Sequence, residues 1–184
     1  MRVALSGTPG TGKTSVATIL EKQGYTIVHL LTLSQENHCI AGVDKQRNSQ
    51  LIDMGKLDNV IQRDFSSDAL VFFDGHVSHL LKTMQKVIIL RCHPHELEKR
   101  ILKKKWNAKK RKENIDAEII DVILCEAVEH HSEEDIFEID TTHTTIETVA
   151  SIIVSMVKKK FQPTKRYRVG QIDWSEEILK ENHM

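Results

Sequence analysis

Residues Gly7-Thr8-Pro9-Gly10-Thr11-Gly12-Lys13-Thr14 put three glycines, a lysine and a terminal hydroxyl into one octapeptide of the form GxxxxGK[ST]. Such spacing makes a phosphate cradle. The glycines let the chain wrap closely around an anion, and a strand before them and a helix after them aim backbone N–H groups and a positive helix end at it. Lys13 is then the candidate bridge to the β- and γ-phosphates of a nucleotide, and the Thr14 hydroxyl the candidate holder of Mg²⁺. Gly10, Thr11 and Gly12 complete the phosphate-binding turn. A second anchor for the metal is expected at the carboxyl end of a neighbouring parallel strand. The run Leu70-Val71-Phe72-Phe73-Asp74 supplies one, which makes Asp74 the candidate acid. Two residues on, His76 is spaced to hydrogen-bond an attacking group beside the γ-phosphate. His76 and His79 lack the further ligands a zinc site needs. The pairs His93/His95 and His130/His131 read as surface or capping residues.

The elements that must position these groups follow from periodicity. Near-continuous apolar runs at 2–6, 26–31, 69–74, 86–91 and 135–140 predict five strands buried on both faces, with a short extended piece at 50–53. Helical spacing predicts helices at 13–23, 56–65, 94–105, 114–130 and 144–160. In the fourth, Ile115, Ile119, Val122 and Ile123 share a core-facing stripe, while Glu118, Asp121 and Glu129 take other faces. Alternating strands and helices predict an α/β three-layer sandwich of the P-loop NTPase type around a five-stranded parallel sheet.

The 184 residues suffice for one domain, and 26 Lys and Arg against 26 Asp and Glu exclude a uniformly basic nucleic-acid binder. With 40% hydrophobic residues and few Pro and Gly, the chain is neither disordered nor collagen-like. No apolar run approaches the roughly 18 residues of a spanning helix. Cys39, Cys92 and Cys125 are odd in number and far apart, as expected of reduced thiols in the cytoplasm. Charge is nevertheless segregated: residues 99–112 hold nine Lys or Arg and no acid, and residues 113–140 hold eleven Asp or Glu and no Lys or Arg. The bland account is a solvated helix face. Beside a phosphate cradle, the cationic arm could instead close as a lid or contact an RNA backbone, with Trp106 as a stacking or packing face. Residues 161–184 lose periodicity and read as a tail that packs on the domain or on a partner.

Taken together, the phosphate loop, the Asp74-Gly75-His76 segment and the run Arg100, Lys105-Trp106-Asn107, Lys109-Lys110, Glu113-Asn114-Ile115 and Glu118 resemble the adenylate kinase isoenzyme 6 family, including its archaeal members. The resemblance spans nearly the whole chain. It implies a kinase domain over 1–160, with a monophosphate-binding segment at about 32–66 and a lid at about 99–113. It also implies transfer of phosphate from ATP to AMP with broad nucleotide tolerance, an accompanying ATPase activity, and Mg²⁺. Residue by residue, Gly10, Gly12, Lys13 and Thr14 resemble the phosphate and Mg²⁺ loop, Asp74 and His76 the metal acid and its companion, and Arg100 a catalytic and nucleotide-binding residue at the lid base. Asp44, Arg47 and Asp53 fall in the monophosphate segment, and Thr141 and Thr142 where relatives let backbone meet adenine. Lid arginines of typical adenylate kinases are here Lys104 and Lys105, which lack a bidentate fork. The family further implies a monomer that works in maturation of the small ribosomal subunit, bound to a platform ribosomal protein and its ribosomal RNA. The alternative is an assembly ATPase switch in which kinase activity is incidental.

Overall fold

The computed structural model describes residues 1–44, 49–65, 68–104, 106–162 and 164–181. Arg47, Lys105 and Pro163 lie outside the described residues. The chain runs β1 (Arg2–Gly7), α1 (Lys13–Lys22), β2 (Thr26–His29), α2 (Leu30–Glu36), β3 (Ile40–Asp44), β4 (Ser49–Ile52), α3 (Met54–Asp64), β5 (Val71–Asp74), β6 (Lys86–Arg91), α4 (Pro94–Leu102), α5 (Ala108–Ile119), α6 (Val122–His130), β7 (Ile136–Asp140), α7 (Ile146–Lys158) and α8 (Glu176–Glu181).

Five strands form one parallel sheet in the order β2-β5-β1-β6-β7, so β1 lies at its centre. Period-two alternation sends Val3, Leu5, Phe72, Ile88 and Leu90 to one face, where α1 and α7 cover them. Ala4, Phe73, Val87 and Ile89 point the other way, onto α3 and α6. Burial on both faces explains the unbroken apolar runs. It also brings the carboxyl ends of the strands to one edge, where ligands of open α/β sheets sit. Side-chain caps fix where three helices begin: Asp53 accepts from Lys56 N at 2.9 Å, Asn107 from Lys110 N at 2.8 Å and Thr145 from Thr148 N at 3.2 Å. Each is worth about 1 kcal/mol.

Four departures from the periodicity bear on the site. Strand β2 stops at His29, and Leu30 opens α2 instead of ending the strand. The extended piece at 50–53 is half of an antiparallel β3–β4 hairpin outside the main sheet. Its partner strand, Ile40–Asp44, carries a glycine and an aspartate that obscure its pattern. The helix expected at 114–130 is broken into α5 and α6 by Asp121, whose φ of 56° is left-handed. Aspartate tolerates that conformation better than most residues, and no glycine or proline marks the break. Helix α4 also ends at Leu102, short of 105.

The tail packs on the domain. Gly170 N donates to Glu138 Oε2 at 2.7 Å, and the Trp174 ring meets His93 edge-on at 4.9 Å. Buried Glu177 lies 2.9 Å from His95 Nε2.

Candidate active site

The loop between β1 and α1 turns on three glycines at positive φ, Gly7, Gly10 and Gly12. Gly7 has φ 137°, and a Cβ there would stand 2.3 Å from the Leu90 carbonyl oxygen, a backbone atom that cannot yield. Gly12 caps α1 in a left-handed conformation, φ 105°. Lys13, the residue after Gly12, is buried, and its Nζ donates to Gly7 O at 2.6 Å and Thr8 O at 3.0 Å. Burial lowers its pKa to about 8; Asp74 and Glu118 pull upward, and Lys104 adds to the lowering. A cation this close to discharge gains most from an anionic partner.

The loop opens on a cleft of about 730 Å³. It is lined by Gly10, Gly12, Lys13 and Thr14 of the loop, by Asp74 and His76 at the end of β5, by Arg100 of α4 and Lys104 just beyond it, by Thr32 of α2, and by Ser49 and Gln50 of β4. The fold thus brings Gly10, Gly12, Lys13, Thr14, Asp74, His76 and Arg100 to one cleft; Asp44, Asp53, Thr141 and Thr142 do not line it, and neither does Thr11. Its side chain is buried behind the loop, where its hydroxyl donates to Thr8 O at 2.9 Å. Asp53 serves as the cap of α3.

Asp74 ends β5 and is buried. Its Oδ2 is 3.0 Å from Nδ1 of His29, its register partner on β2. Its Oδ1 is buried with no hydrogen-bond partner among the described residues. An orphaned carboxylate oxygen is costly, and a hard divalent cation satisfies it. The exposed Thr14 hydroxyl lines the same cleft, so the residues present fit a magnesium ion. His76 opens onto the cleft while its walls, and then Lys13, hold its pKa well below the usual histidine value. Both effects favour the neutral form of the ring. His79 points away from it, buried, with Nδ1 2.8 Å from Ser6 Oγ and Nε2 2.8 Å from Glu126 Oε2.

Arg100 is half-buried and reaches across to the turn after β7, donating from Nη2 to Thr141 O at 2.7 Å and Thr142 O at 2.9 Å. Trp106 packs half-buried on Cys92, Leu97 and Ile101, and the Lys104 and Lys110 ammonium groups lie 4.8 and 5.3 Å from its ring centre. It belongs to the seam between α4 and the start of α5. Glu118 corrects the expectation of a polar outer face: it is 2% exposed and pairs with Arg91 at 2.8 Å. Sequence reasoning missed this pair and His29, while the Thr141 turn is singled out only through the family resemblance. The one available signal was an arginine closing the apolar strand Lys86–Arg91.

The AAA domain family model matches residues 3–121. Over 178 residues the chain is 40% identical to an Archaeoglobus fulgidus protein named "Putative adenylate kinase", covering 97% of this chain and 94% of the relative. A Methanocaldococcus jannaschii protein of the same name is 35% identical over 180 residues, 97% and 96% of the two chains. Among solved structures, shikimate kinase from Bacteroides thetaiotaomicron superposes with a TM-score of 0.57 at 16% identity, over 86% of this chain and 98% of that one. Thymidylate kinase from Candida albicans gives 0.57 at 12%, over 86% and 91%. These two share the fold. With that architecture and full-length relatives at this identity, the chain belongs to the AAA-domain P-loop proteins and, among them, to the archaeal-type adenylate kinase family.

Proposed function

We propose that the protein is a nucleoside monophosphate kinase that converts ATP and AMP into two ADP. One observation carries this reading: a single cleft joins the phosphate loop, the Asp74 and His76 pair and the lid cations to a hairpin wall of neutral polar side chains. In the proposed reaction ATP lies on the loop and AMP enters past Ser49 and Gln50. A phosphate oxygen of AMP forms a bond to the γ-phosphorus as the bond to the β-γ bridging oxygen breaks, and ADP leaves. No covalent enzyme intermediate is needed. Catalysis of this transfer is chiefly positioning and charge stabilisation.

Lys13, Arg100 and Lys104 supply positive charge around the transferred group. Neutral His76 orients the acceptor oxygen by a hydrogen bond. Thr14 and Asp74 would hold Mg²⁺, which when bound neutralises and aligns the β- and γ-phosphates. Residues 32–66 serve as the monophosphate-binding segment, 99–113 as the lid and 161–184 as a tail, in a cytoplasmic monomer. Water taking the place of AMP gives the accompanying ATPase activity. Tolerance of several monophosphates rests on the family resemblance. A ribosomal platform protein and its RNA as partners rest on the family resemblance. Capture of that protein from purified small-subunit components is the test.

A bisubstrate dinucleotide, two adenosines joined by five phosphates, tests the two-ligand cleft. The expected result is one molecule bound per chain, competing with both ATP and AMP. Competition with ATP alone would overturn the kinase reading in favour of an ATPase switch.

A further inference from the structure

Glu118 closes α5, the helix that begins in the cationic arm, yet its carboxylate ends beneath the phosphate loop. A carboxylate so deeply buried must have its lone pairs met. Oε1 accepts from Arg91 Nε at 2.8 Å and from Cys92 N at 3.0 Å. Oε2 accepts the hydroxyl of Thr8, which is itself buried. Arg91 cannot swing away, because Glu138 Oε1 holds its Nη1 at 2.7 Å and Asp121 holds Nη2. The acid that grips Thr8 is therefore fixed in place.

Thr8 is the hub of the loop. Its carbonyl accepts from Lys13 Nζ at 3.0 Å, Thr11 N at 3.2 Å and Thr11 Oγ1 at 2.9 Å. Whatever sets the orientation of Thr8 thus sets the cradle of the loop's cation. A buried hydrogen bond to an ionised acceptor is among the stronger ones, and its partner lies 110 residues away on a different element.

We infer that Glu118 is a positioning residue of the nucleotide site: through the Thr8 hydroxyl it holds the phosphate loop in its binding-competent shape, touching no substrate atom itself. The inference rests on the reading of the cleft as an ATP site. Without this bond Thr8 is free to turn, and ordering of the loop must then be met from the binding free energy of the nucleotide.

Calorimetric titration with MgATP, alongside thermal unfolding, tests it in the full chain. Thr8→Val removes the hydroxyl at constant shape and should weaken MgATP binding about tenfold, as expected for a lost bond to a charged group. Thr8→Ser restores the hydroxyl and should bind within about twofold of the wild type. Combining Thr8→Val with Glu118→Gln should cost little more than Thr8→Val alone, because both cut the same link. If Glu118→Gln does not fold, the two Thr8 variants decide. Wild-type affinity in Thr8→Val with only a lower melting temperature, affinity in Thr8→Ser as poor as in Thr8→Val, or multiplicative losses in the double variant would each overturn the inference alone. Absence of any MgATP heat from the wild-type protein would overturn the nucleotide reading and this inference with it.

Discussion

His29 Nδ1 and Asp74 Oδ2 stand 3.0 Å apart where β2 and β5 end side by side, and Asp74 Oδ1 is buried with no hydrogen-bond partner among the described residues. In the proposed site the histidine orients the acid, and Oδ1 is the oxygen that a cation would take. Asp74→Asn is expected to raise the magnesium concentration needed for ATP binding by about 10- to 100-fold, and His29→Ala by a smaller factor of about ten, the usual range for groups that hold or orient a metal ligand. Calorimetric ATP titrations at graded magnesium concentrations check this. Equal magnesium dependence in wild type and Asp74→Asn would contradict it.

Arg91 meets three carboxylates, Glu118, Asp121 and Glu138, at the carboxyl end of β6 while only 2% exposed. Removing the shared cation leaves buried acids facing one another, and burial already raises the pKa of Glu138 against the pull of Arg91. Arg91→Met is expected to cost about 3 to 5 kcal/mol in denaturant unfolding, the range for one partner lost from a buried pair. A loss below about 1 kcal/mol would show that the network is not sustaining the fold.

Acid should weaken the protein through His79. The ring is 1% exposed, and burial lowers its pKa below the usual 6.5 despite the Glu126 carboxylate. As pH falls through about 6.5 the unfolded chain takes up this proton before the native one does, so stability declines with falling pH. Above that pH the penalty is absent. His79→Gln keeps polar contacts to Ser6 and Glu126 but cannot titrate. Its stability should fall less steeply between about pH 6.5 and 5, and identical slopes for variant and wild type would contradict the assignment.

The chemistry-bearing loop was legible because a phosphate cradle needs its glycines, lysine and hydroxyl within eight adjacent residues, so local spacing carries the whole signal. Asp74 and His76 were legible for a similar reason, since an acid ending an apolar run marks the edge of a parallel sheet. The five sheet strands declare themselves by burial on both faces. Hidden were relationships between distant segments. His29 reads as one histidine among ten until sheet order sets it beside Asp74. Glu118 sits in a run of acids that looks solvated, and only the break at Asp121 and the end of β6 reveal its partner. The β3–β4 hairpin was half seen because one of its strands, Ile40–Asp44, is short and carries Gly42 and Asp44, which obscure its alternation.

The activity proposed is phosphoryl transfer between two nucleotides in one cleft. The direct measurement is ADP production from ATP and magnesium, with and without AMP, in the wild type and in Lys13→Met. The prediction is a rate that AMP raises many-fold, two ADP formed for each ATP consumed, and a loss of at least about 100-fold in Lys13→Met, the scale of removing one stabilising charge from a preorganised site. A rate that neither AMP nor any other nucleoside monophosphate raises above ATP alone would contradict it.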